Sequence, residues 1–284
     1  MSSAAVQPRA ARRALGAFGR HGLLLLFCGL SVLPIYFMVV NAFKTKAEYI
    51  GNRIGPPQSP SLNSLAEAIG GGDLYLWLLN SCLVTAASVL LSTALAALAA
   101  YPISLMRWRP GPVVLGLLIV LLVVPPIVLV VPLFEMVVRA GQLNSLHTVI
   151  VIYTGIMLPF STFLLASFFA TLSRPLIEAA RLDGAGTWRV FWLIVLPLSV
   201  PALMTVVIVQ ALWVWNEVLV AVIFLQDQGL RTLMVGLTLF NSRYRHDVPV
   251  VMAGMMVAAV PMVLLYLAGQ RFFIRGLTAG GVKG

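Results

Sequence analysis

Six stretches of this chain stay apolar for about 20 residues or more, the length a helix needs to cross a bilayer. They lie at about 22–43, 76–100, 112–137, 147–170, 198–225 and 249–270. The pattern predicts an all-α integral membrane protein with six transmembrane helices. The spans take up half the chain or more, so no sizeable soluble domain fits beside them. Residues 1–20 have no apolar period and read as a tail. Residues 21–270 read as one six-span domain, and 271–284 as a second tail. The apolar run after Gly22 is longer than the core of a signal peptide, so it reads as an uncleaved first span.

Gly55-Pro56-Pro57 and Ser59-Pro60 mark a loop after span one, and Leu62 to Glu67 can start a short helix there. Span two is rich in Ala and Ser from Thr85 to Ala100. Small side chains let helix backbones approach closely in lipid, which places this span inside the bundle. Span three holds Pro125, Pro126 and Pro132, each of which removes a backbone donor and bends a helix. The bend is either a static kink or a hinge beside a water-lined path; the pattern leaves both open. Gly141 to Ser145 make the turn between spans three and four. A loop with Arg231, Arg243, Arg245 and Asp247 joins spans five and six.

The segment 173–197, between spans four and five, is of another kind. Ser173 can cap a helix and Pro175 suits its first turn. Glu178 lies early in that helix, where the dipole favours an acid. Asp183-Gly184 should stop it, because glycine takes the left-handed conformation that ends helices. Thr187 can cap a second helix. Trp188, Phe191, Trp192 and Val195 then share one apolar face, and Pro197 and Pro201 mark the return to the bilayer. The result is a helix-turn-helix. It can present an apolar knob to a groove on a soluble partner, or lie on headgroups with Trp188 and Trp192 as anchors.

Composition supports the membrane reading. Hydrophobic residues make up 60% and charged residues 10%, with mean hydropathy +0.99; a soluble domain carries about 25% charged residues. The net charge of +10 would suggest nucleic acid in a soluble protein. Here it follows the membrane. With both termini cytoplasmic, the inside segments hold twelve basic residues against two acids, Glu178 and Asp183, and the outside segments hold seven against six. The positive-inside rule therefore sets both ends in the cytoplasm. Cys28 and Cys82 fall inside spans and read as small core residues. His21, His147 and His246 lack metal-ligand spacing. A phosphate loop of the form GxxxxGK[ST] is absent, so this chain is not itself an ATPase. No Ser-His-Asp set falls on one face. Neither a catalytic residue nor a metal site is expected. Glu217 is the one acid well inside a span, and such a residue is a functional candidate by default.

Glu178-Ala179-Ala180, Gly184, Ile194 and Leu196-Pro197 stand at fixed offsets that resemble the EAA motif of bacterial ABC importer permeases. Asp183-Gly184-Ala185 resembles the version found in carbohydrate importers of the maltose type. Trp215-Asn216-Glu217 is similar to a signature of the same family, and Asn80-Ser81 also fits. The tail, GLTAGGVKG, is similar to the end of the second permease subunit in maltose-type systems. The resemblance covers nearly the whole chain.

It implies a permease subunit in a bacterial inner or plasma membrane, forming half of a sugar pore with a second permease. Two ATPase subunits would bind ATP and Mg beneath it; this chain would hold no cofactor. An extracytoplasmic solute-binding protein would deliver the sugar. Glu178, Ala179, Ala180, Asp183, Gly184, Ala185, Leu196 and Pro197 would form the cytoplasmic coupling loop to an ATPase. Gly276, Leu277, Thr278, Gly280 and Gly281 would reach between the ATPases, and with Gly284 these glycines suit an extended strand in a narrow gap. Asn80, Trp213, Trp215, Asn216 and Glu217 would line the substrate path, an aromatic face with placed polar groups, although packing explains the tryptophans equally well. The alternatives are a permease for a non-sugar solute, such as glycerol phosphate or a polyamine, and a secondary transporter. The last should show several intramembrane acids and paired broken helices.

Overall fold

A computed structural model describes residues 8–70, 72–106, 108–243 and 247–281. Arg107, Arg245, His246 and Val282 to Gly284 lie outside these residues. The described chain is all helix, with no strand. In order come α1 (Pro8–Ala42), α2 (Lys46–Gly51), α3 (Asn63–Gly70), α4 (Leu74–Leu105), α5 (Gly111–Leu122), α6 (Pro126–Arg139), α7 (Leu146–Phe169) and α8 (Arg174–Leu182). They are followed by α9 (Thr187–Leu198), α10 (Val200–Asn216), α11 (Leu219–Phe224), α12 (Leu233–Arg243) and α13 (Val248–Gly281).

Four helices are long and apolar enough to span by themselves: Arg20–Ala42 of α1, α4, α7 and Val248–Gln270 of α13. The other two spans are broken. α5 and α6 meet at 98°, and α9 and α10 at 71°. This corrects the expected third span, 112–137. Pro125 and Pro126 have no N–H, so carbonyls 121 and 122 lose their i+4 donors and the helix stops. Val124 N–H turns back to Leu121 O at 3.2 Å. The fifth span is corrected too. Its apolar stretch is the bent pair Thr187–Leu198 and Val200–Asn216 instead of one run over 198–225, with α11 a separate piece beyond a break at Glu217 and Val218.

The chain divides into two compact units. One comprises Met1–Gly71 and Arg243–Met256. Within it, α1 is exposed on every side from Leu23 to Leu33. Beyond α1, Lys44 is fully buried, with no acid partner among the described residues. Its ammonium donates to Asn41 Oδ1 (3.0 Å) and Asn52 O (2.7 Å), and Ser64 Oγ donates to Lys44 O (2.8 Å). Both neutral acceptors offset the cost of burying that charge. α3 is the short helix expected near Leu62.

The second unit comprises Gly72–Ser242 and Val257–Gly284. Its centre is α4 against α7, with α10 beside both. α4 buries Ser81, Thr85, Ser88, Ser92, Ala96, Ala97 and Ala100, so the small-residue stretch does sit inside the bundle. The segment after α11 was expected to be a plain loop; it contains α12. Glycine lets that helix pack closely on α4. A Cβ on Gly236 would stand 2.0 Å from Trp77 Cε3, a distance no side chain can occupy.

The C-terminal tail departs from the expected extended strand. α13 continues as helix through Gly281. Carrying the helix on satisfies backbone groups within the segment itself, which outweighs the weak helix propensity of glycine.

Candidate coupling loop and transport path

α8 starts at Ser173, whose backbone is extended (φ −61°, ψ 110°), with Pro175 in the first turn as expected. The Ser173 hydroxyl makes no cap bond. The helix ends in two nested bonds: Gly184 N–H to Arg181 O (3.1 Å) and Ala185 N–H to Ala180 O (3.0 Å). This is a Schellman end, and it requires the positive φ of Gly184, +82°. The second helix is capped by the backbone of Gly186, so Thr187 is its first residue and not its cap.

The expected single apolar face of the second helix is split. Phe191 and Val195 are buried, whereas Trp188 and Trp192 are 63% and 58% exposed. The four residues form two i, i+4 pairs on neighbouring faces, and the pair Phe191–Val195 is the one that packs on Tyr101. The same stretch, Phe191–Val195, is a π-turn, where Leu196 N–H reaches Phe191 O five residues back.

Buried side chains hold the loop to the bundle. Ile177, Val190, Phe191 and Val195 pack with Ala97, Ala100, Tyr101 and Phe169. Tyr101 lies 5.1 Å from Phe191, centroid to centroid, and its hydroxyl donates to Thr187 O (3.1 Å). What remains outward is Glu178, Ala179, Asp183 and Gly184, next to a bare Leu182 (90% exposed), Trp188, Trp192 and Leu193; Ala180, Ala185 and Leu196 are half-buried, and Pro197 is exposed. Arg174, Arg181 and Arg189 are exposed on the same loop. A fixed base under an exposed face of apolar and mixed-charge side chains is the form of a docking knob. Leu182 and Tyr101 did not stand out in the sequence, because an exposed leucine and a tyrosine at a span end carry no motif.

The five residues expected along the substrate path are not brought to one cavity. Asn80 donates to Gly229 O (2.8 Å) and Arg231 O (3.0 Å), and Ser81 Oγ accepts from Leu233 N–H (2.8 Å). Together they pin the segment before α12. Trp215 is buried and its indole donates to Ala258 O (3.3 Å), beside the kink at Pro261. Asn216 bonds back to Leu212 O (2.7 Å). Glu217 occupies the break between α10 and α11. Its carboxylate accepts from Val220 N–H (3.0 Å), Ala221 N–H (3.3 Å) and the Tyr153 hydroxyl, so it caps α11 and ties it to α7. Trp213 lines one open cleft, beside α7 and the break of α5–α6, and Trp215 lines a separate, almost wholly apolar one between α4, α10 and α13. Among the described residues no group of three or more His, Cys, Asp or Glu could hold a metal ion.

The model of binding-protein-dependent transport system inner membrane components matches residues 65–275. The chain belongs to that family. It is therefore a multi-pass membrane transport component and not an enzyme. The melibiose/raffinose/stachyose import permease MelC of Bacillus subtilis is 36% identical over 253 residues, 89% of this chain and 91% of that protein. The sulfoquinovosyl glycerol permease SmoH of Agrobacterium fabrum is 34% identical over 262 residues, 92% of this chain and 91% of that protein. A crystal structure of a bacterial ABC transporter that imports the acidic polysaccharide alginate matches with a TM-score of 0.82. The match covers 95% of this chain and 100% of that one at 20% identity, a likeness of fold.

Proposed function

We propose that this permease is one half of the pore of an ATP-driven sugar importer. The observation that carries the reading is the loop 173–197, a Schellman-ended helix pair clamped to the bundle with Glu178, Ala179, Leu182 and Asp183 turned outward. In this reading two ATPases bind ATP and Mg, one of them docking on that face. A second permease completes the pore and an extracytoplasmic binding protein delivers the solute. The sugar class rests on relatives named for melibiose, raffinose, stachyose and sulfoquinovosyl glycerol. A polyamine would need free acids along the spans, and the Glu217 carboxylate is already taken by two backbone donors and Tyr153.

The surplus of basic over acidic residues in the segments read as inside supports a cytoplasmic position for both termini. Reporter fusions near Gly55 and after Val282 should then read opposite sides; the same side for both would remove this topology. The last residues are proposed to touch the ATPases. Deleting Thr278 to Gly284 should leave ATP hydrolysis in place and lower sugar uptake per ATP. A deletion without effect on that ratio, measured on the complex in proteoliposomes, would withdraw the tail's role. The reading as a whole is tested in the same proteoliposomes with the binding protein and a panel of labelled oligosaccharides headed by melibiose and raffinose. ATP-dependent uptake of a member of the panel is the expected result. Uptake of glycerol phosphate or spermidine in place of every sugar would contradict it.

A further inference from the structure

The two helices of the loop 173–197 differ in what they leave outward. The acids, Glu178 and Asp183, both precede Gly184. From Thr187 to Asn216 there is no acid, and Arg189 is the one charge. Val190, Phe191 and Val195 of α9 face the bundle. Trp188, Arg189, Trp192 and Leu193 are exposed, and exposure continues at Pro197, Leu198 and Val200, where the chain turns into α10.

The depth of α9 follows from its neighbour. Tyr101 donates to Thr187 O and its ring lies against Phe191, while Ile103 and Leu105 pack on the same cluster. α4 has 32 residues. At 1.5 Å per residue that is about 48 Å, whereas the hydrocarbon core of a bilayer is about 30 Å thick. The last residues of α4 therefore stand at headgroup level, and α9 stands beside them. Trp108 and Arg109, exposed just past the end of α4, mark the same level.

The two exposed indoles are seated. Each lies nearly edge-on to Phe191, Trp188 at 6.0 Å and 82°, Trp192 at 5.2 Å and 73°. The buried indoles of Trp77 and Trp215 donate to carbonyls of the fold. Among the described residues, neither the Trp188 nor the Trp192 N–H has an acceptor, and Arg189 has no acid partner. A fixed ring with a free N–H suits the zone where one end is apolar and the other wet. A phospholipid answers every part of this face. Acyl chains cover Leu193 and Leu198, ester and phosphate oxygens accept from the indoles, and an anionic headgroup meets the arginine. A soluble partner cannot follow the face to Leu198 and Val200, where the chain has entered the span.

We propose that α9 is an anionic-lipid anchor, with Trp188 and Trp192 among the headgroups and Arg189 paired with a negatively charged phospholipid. This leaves α8 alone for the ATPase, and to that extent it builds on the docking reading above. Because the Gly184 turn fixes α8 against α9, the bilayer surface then sets the stance of the docking helix. The anchor is independent of the solute carried.

The test uses the assembled complex in vesicles of equal parts phosphatidylcholine and phosphatidylglycerol. Trp192 is replaced by photoreactive benzoylphenylalanine, and the adducts are read by mass spectrometry after irradiation. The expected product is a phospholipid adduct, with and without ATP. Phosphatidylglycerol should exceed phosphatidylcholine in it about fivefold, the ratio set by about 1 kcal/mol for one arginine near an anionic surface. Arg189→Gln should bring that ratio close to equality, and Arg189→Lys should keep it. A headgroup ratio that Arg189→Gln leaves unchanged overturns the proposal, and so does an adduct with the ATPase. Should the residue 192 variant assemble poorly, the photoreactive group goes to Leu193, exposed beside it. The same probe at Ala179 keeps the two readings apart. Lipid adducts at both 179 and 192 end the docking of α8 and leave the anchor; ATPase adducts at both end the anchor and leave the docking.

Discussion

Gly184→Val is expected to lower sugar uptake roughly tenfold or more, since a β-branched residue held at positive φ costs about 1–3 kcal/mol. The cause is conformational. A Cβ at Gly184 meets nothing within 4 Å, so no clash enters; only the φ of +82° resists. Relieving it means giving up the bonds from Gly184 and Ala185 to Arg181 and Ala180, and with them the angle between α8 and α9. Glu178 and Ala179 on α8 would then lose their fixed orientation relative to Trp188 and Trp192 on α9. Membrane level should be unchanged, because Ile177, Val190 and Phe191 still anchor both helices. Gly184→Asn should retain most of the uptake, since asparagine tolerates this region. Equal uptake by the valine and asparagine variants would mean that the turn has no part in coupling.

Glu217 gives the second large effect, and here two substitutions must diverge. Glu217→Leu strands two backbone N–H groups of α11 and the Tyr153 hydroxyl in a low-dielectric bundle. Each unmet group costs about 1–3 kcal/mol, enough together to lower the amount of assembled permease several-fold. Glu217→Gln keeps an acceptor and should assemble close to wild type, with modestly lower uptake and unchanged choice among sugars. Assembly is read by size-exclusion recovery of the complex, and choice by competition between labelled sugars. A glutamine variant that assembles normally yet changes the preferred sugar would return Glu217 to the substrate path.

Much of this was legible in the chain. The six apolar stretches gave the spans, and Asp183-Gly184 gave the turn, because a helix end with glycine at C′ has one inexpensive geometry. The Ala- and Ser-rich face of α4 gave its burial. Other features were hidden for physical reasons. Hydropathy sums a window and does not register a change of direction, so the 98° break at Pro125-Pro126 appeared as one bent span. The π-turn at Phe191–Val195 has no marker in the local sequence. α12 packs against α4 where Gly236 leaves room for Trp77, a contact between residues far apart in sequence. Glu217 misled in the opposite way. Its residue type drew attention, while the backbone around it determines what the carboxylate does.

The central claim is that the outward face of α8 docks on an ATPase. Ala179 is exposed and its side chain makes no hydrogen bond, so a photoreactive benzoylphenylalanine can replace it with little disturbance to the loop. The most direct measurement is irradiation of that variant in the assembled complex, followed by mass spectrometry of the adduct. The expected product joins residue 179 to the ATPase chain, with a yield that changes between nucleotide-free and ATP-bound states. Adducts confined to lipid, or to the permease itself, in both states would contradict the account.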